Sequence, residues 1–96
     1  MEQDVIELIA AKIIRQACQD WLWAQRIISR SSPKTLERLK SELSERRYMT
    51  LRRAIRMRED CEIFFNSGWY AMLTDIPSSV ILEKLHKRAE KGKWLL

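Results

Sequence analysis

Between Ile6 and Ile28 apolar side chains return every three or four residues, at Ile6, Ile9, Ala10, Ile13, Ala17, Trp21, Ala24 and Ile28. At about 100° per residue these positions share one side of an α-helix, whereas a strand would scatter them over both faces. The spacing predicts a helix over about 3–29. A second apolar line through Leu8, Ala11, Cys18 and Leu22 leaves a polar strip only around Lys12, Arg15, Gln19 and Arg26. So broad an arc needs cover on more than one side. Either the helix is central in its domain or part of it meets a second subunit, which makes a homodimer one expectation.

The rest of the chain agrees with a helical domain. Its 96 residues suit one domain over 1–96. Two Gly and two Pro are too few for a turn-rich β architecture, and 46% hydrophobic residues are too many for disorder. Ser32 followed by Pro33 reads as a helix start, and a second helix over about 33–66 is consistent with Leu36, Leu39, Leu43, Leu51, Ala54, Met57, Cys61 and Phe65 on one face. A break near 45–48 is equally consistent with the spacing. Asn66-Ser67-Gly68 interrupts, with Ser67 able to cap a short helix at 69–74. Asp75 is then expected to cap a last helix over about 77–91 that buries Ile81 or Leu82 with Leu85 and Ala89 and ends at Gly92. The expected fold is all-α, a long antiparallel helical hairpin followed by a short helix and a C-terminal helix.

Charge is unevenly distributed. The chain has a formal net charge of +5, yet residues 1–30 hold four basic and four acidic side chains and are neutral. The segment 46–58 carries Arg46, Arg47, Arg52, Arg53, Arg56 and Arg58 and no acid. On a continuous helix Arg46, Arg52, Arg53 and Arg56 project away from the leucine face, where they could follow the phosphates of a nucleic acid or meet an acidic partner. Glu42 lies four before Arg46 and Asp60 four after Arg56, so a solvated, locally compensated face is the plainer account of them. Arg47 and Arg58 point into the edge of the apolar stripe and call for a carboxylate, for which Asp20 is the candidate in a structural ion pair.

No run of about 18 apolar residues exists, so no membrane span is expected. A secretory signal is also missing from the sequence, which leads us to expect a cytoplasmic protein. Cys18 and Cys61 lack the companions of a metal site and read as buried free thiols. His86 is the only histidine, and no nucleophile constellation or phosphate loop accompanies it. Neither an enzyme nor a cofactor or metal is expected. Of the four tryptophans, Trp21 belongs to the main stripe and Trp23 to its margin, where an amphipathic ring suits a protein partner. Trp94 and Leu95 lie in an apolar tail that folds back or docks elsewhere.

The run Phe64-Phe65, Ser67, Trp69-Tyr70, Leu73-Thr74, followed by Leu82 and Leu85, resembles small proteins encoded in bacteriophages and prophages of Gram-positive bacteria. The likeness covers roughly the last third of the chain. Gly68 stands where an acidic residue is common in that group, and Pro77-Ser78 where Asp-Gly is common. The resemblance implies a phage or mobile-element setting and no reaction. With it, the sequence leads us to expect a small non-catalytic protein that binds another macromolecule. The first version is a protein target such as a host defence nuclease, which the chain would inhibit. The second is weakly specific DNA or RNA binding through the Arg46–Arg58 helix.

Overall fold

The computed structural model describes residues 2–30 and 45–96. Among them the chain forms four helices, α1 (Glu2–Arg30), α2 (Glu45–Phe65), α3 (Gly68–Leu73) and α4 (Ser78–Glu90), and no strand. The fold is all-α, with α1 packed along α2. The expected helix start at Ser32-Pro33 and the leucines at 36, 39 and 43 lie outside the described residues. From Glu45 to Phe65 the second helix is unbroken. No helix of the described residues is long and apolar enough to cross a membrane.

Two side-chain bonds fix how the long helices meet. Trp21 Nε1 donates to Glu62 Oε1 at 3.2 Å, and Arg58 donates to Gln25 Oε1 at 2.7 Å. The helices are therefore antiparallel, and residue i of α1 stands beside residue 83 − i of α2. In this register Phe65, the last residue of α2, is level with Cys18.

The core sits at that level. Cys18, Trp21 and Leu22 of α1 meet Cys61 and Phe65 of α2, Tyr70 of α3 and Leu85 of α4. Trp21, Leu22 and Phe65 are the largest side chains removed from water, each fully buried large apolar group contributing about 1.5–3 kcal/mol. As the spacing predicts for α4, Leu85 is buried and Ile81, Leu82 and Ala89 pack partly against the same cluster.

Phe64, Phe65, Trp69 and Tyr70 form a linked set of edge-on and tilted rings with centroids 5.5 to 5.9 Å apart. Ser67 holds the turn beneath them. Its hydroxyl donates to the Phe64 carbonyl at 2.6 Å and accepts from the Tyr70 N–H at 3.2 Å, capping α3 as the sequence indicates. Asp75 does not cap α4. The helix opens at Ser78 with Pro77 in the cap position and no side-chain bond there, and Asp75 is two residues too early to serve. Thr74 Oγ1 takes the Ile76 N–H instead, while the Tyr70 hydroxyl donates to the Ile76 carbonyl at 2.7 Å. Those bonds set the path of the link from α3 to α4.

Gly92 ends α4 in the left-handed region, at φ 69°. Its N–H reaches Ala89 O and the N–H of Lys93 reaches Arg88 O at 2.8 Å, the paired closure for which a glycine is suited. The tail then returns along α1. Gln19 Nε2 donates to Trp94 O at 2.8 Å, the Leu96 N–H donates to Gln19 Oε1 at 3.2 Å, and Arg88 donates to Leu95 O.

Truncating Phe65 to Ala leaves a cavity where α2, α3 and α4 converge and should cost about 3–5 kcal/mol. Ile63, two residues away and 68% exposed, should tolerate the same change within about 0.5 kcal/mol. Urea unfolding of both variants checks the assigned burial.

Candidate functional site

The register has a consequence for α1. Because α2 ends level with Cys18, the sixteen residues from Glu2 to Ala17 extend about 24 Å beyond it. The arc that Ile6 and Ile9 share with Trp21 is buried only from Ala10 onward. Val5, Ile6, Leu8 and Ile9 are each more than half exposed. The long partner helix stops short of these first turns, so the stripe is covered within the chain over only part of its length.

A groove follows one side of this overhang. Ala10, Ala11 and Ile14 of α1 form one wall, Leu73 and Ile76 the other, and Leu96 of the tail closes it; its volume is about 560 Å³. Glu7 and Arg15 border it. They are eight residues apart, a separation of about 12 Å along the helix. Apolar lining with two opposite charges at the rim suits an apolar helix or strand laid into the groove more than a polar small molecule.

The residues singled out in the sequence fall elsewhere. Arg46, Arg52, Arg53 and Arg56 are all exposed on α2. The Arg52 guanidinium stands 6.0 Å from the Tyr48 ring, and Arg52, Arg53 and Arg56 share a shallow outer surface with Met49, Ile55 and Glu59. Arg47 is exposed too, rather than turned into the apolar stripe. Arg58 is half-buried as anticipated, but its partner is Gln25 and not Asp20. Asp20 accepts from Gln16 at 2.8 Å. The helical register explains this correction: Asp20 lies level with Ile63, more than a turn from Arg58 and four turns from Arg47.

Trp23 is 42% exposed. Trp94 packs against the core cluster, so the tail folds back, while Leu95 remains 75% exposed. His86 is exposed and meets the buried Trp21 ring edge-on at 4.8 Å.

Cys18 and Cys61 are buried, free and members of the same cluster. Burial pushes the Cys61 thiol from its ordinary 9.0 up to about 11, with Asp20, Asp60, Cys18 and Glu62 adding to the rise. Burial raises Cys18 as well. Thiols held this firmly protonated are poor nucleophiles and poor metal ligands. Among the described residues no group of three His, Cys, Asp or Glu side chains is placed to hold a metal ion.

No protein-family model matches the chain, and comparison with curated proteins and with solved structures finds no similar one.

Two measurements test these assignments. Gln25→Ala removes the Arg58 partner, and with Arg58 Nε already buried and unbonded the loss should reach about 1–3 kcal/mol. Asp20→Ala should cost under about 1 kcal/mol, the reverse of the order an Asp20 ion pair requires. The raised thiol gives a pH dependence. Between pH 9 and 11 the unfolded chain loses the Cys61 proton while the folded chain keeps it, so stability is full below 9 and falls across that window. Cys61→Ala should flatten this part of the unfolding profile.

Proposed function

We propose that this chain is a small non-catalytic binding protein that engages another protein through the apolar groove beside α1. The observation that carries the reading is the apolar groove between Ala11 and Ile76, closed by Leu96, with Glu7 and Arg15 at its rim. The partner's matching element is an apolar helix, with a basic group for Glu7 and an acidic one for Arg15.

In the phage or mobile-element setting that the C-terminal resemblance implies, a host defence nuclease is the kind of target such a protein inhibits by occupying its surface. This places the protein in the cytoplasm of a bacterial host. The reading needs no reaction, cofactor or metal.

A second reading has its own observation. Arg52, Arg53 and Arg56 form an exposed basic strip on the outer side of α2 and could follow phosphates. Glu59 in the same strip and Asp60 beside it reduce its field, and Tyr48 already holds Arg52. We therefore rank weakly specific nucleic-acid binding second.

Affinity capture from a bacterial host lysate, with and without nuclease digestion, distinguishes the two. A stoichiometric protein should survive digestion, be lost at least tenfold with Ala11→Glu plus Ile76→Glu, and persist with Arg52→Glu plus Arg53→Glu. Recovery of nucleic acid alone, abolished by the arginine pair, would reverse the ranking.

A further inference from the structure

The side of α1 turned away from the groove carries a separate feature. Ile6, Ile9 and Ile13 recur at steps of three and four, and Ile9 and Ile13 each lie about 160° around the helix from Ala11. Ile6 and Ile9 are more than half exposed, whereas Ile13 stands at the edge of a second groove of about 460 Å³ formed with Met57, Phe64 and Trp69. The isoleucine line thus begins on the overhang and runs onto the body of the hairpin. Stiff β-branched side chains at this spacing are those that pack between helices at little cost in rotamer freedom.

We propose that a second copy of this chain covers this seam, the two overhangs lying side by side and antiparallel. Along the hairpin body α2 occupies the flank of α1, and beyond Phe65 it no longer does. An antiparallel second overhang fills that space, and its own open flank is filled in return. Such an exchange is isologous and closes as a two-fold dimer.

Charge permits this partner. Although the chain is +5, residues 1–30 carry four bases and four acids, so two copies meet here without net repulsion; the arginines of α2 would oppose contact there. The area is also sufficient. Val5, Ile6, Ile9 and Trp69 open on the order of 500 Å² of apolar surface, the apolar share of a homodimer interface of about 800 Å² per subunit.

Sedimentation equilibrium across a hundredfold concentration range tests the proposal on the full chain. Wild type should reach twice its 11.5 kDa mass, and Ile6→Glu plus Ile9→Glu should weaken association at least tenfold with unchanged helical circular dichroism. Oxidative cross-linking adds a geometric test that survives any folding defect of that variant. Ile9→Cys lies near the two-fold axis and should link to itself, whereas Val5→Cys should not. A wild type that stays monomeric, a dimer indifferent to the isoleucine pair, or equal cross-linking at both positions overturns the proposal. Ala11→Glu plus Ile76→Glu should still dimerise, so failure of the groove reading and failure of this one are separable.

Discussion

Trp21 is the side chain on which the arrangement of the molecule turns. Its ring lies wholly out of water, among residues from all four helices, and His86 of α4 meets it edge-on. A buried indole must place its N–H, and here Glu62 accepts it. That bond does more than satisfy a polar group. It ties one position of α1 to one position of α2 and, with Gln25 and Arg58 one turn further on, leaves no latitude in the register. Everything notable about the surface follows from where this register stops α2.

The outcome is a molecule with chemically different regions. The outer side of α2 is basic, crossed by a few acids, whereas residues 1–30 are neutral in sum and the α1 overhang is apolar on two sides. A helix buried at one end and apolar at the other cannot be explained by its own core alone. Its wide apolar arc has two uses, the half near Trp21 closing the domain and the half near Ile9 facing outward. The groove and the isoleucine seam lie on opposite sides of that outer half, so one helix can serve a heterologous partner and a second copy at once without competition between them.

Much of the fold was legible because helical periodicity is a local property. The stripe from Ile6 to Ile28, the Ser67 cap, the Gly92 stop and the burial of Leu85 each follow from neighbours within a turn or two. The cap at Asp75 was misread because an earlier contact, Tyr70 to the Ile76 carbonyl, sets the path into α4 and leaves Pro77 at its start. The pairing of Asp20 with Arg58 failed for a different reason. Both residues lie on the apolar sides of their helices, but which cross-helix neighbours meet depends on register, and apolar spacing is silent on that. The groove was illegible for the same cause, since Ala11, Leu73, Ile76 and Leu96 are brought together only by the tertiary path. A count from a known register would have revealed the overhang.

The tail gives the groove an unusual wall. Beyond Trp94, which packs on the core, Leu95 and Leu96 have no helical or sheet bonds of their own and are tied by side chains, Arg88 donating to Leu95 O and Gln19 accepting from the Leu96 N–H. Segments tied so lightly sit at the low end of a protein's range of local opening free energies. The Ala11 wall belongs to a helix anchored in the core, while the Leu96 wall can detach without disturbing it. The groove is therefore a jaw with one fixed and one hinged side. A ligand wider than the resting gap can be admitted at the cost of the bond between the Leu96 N–H and Gln19, and one that refills the place of Leu96 recovers part of that cost.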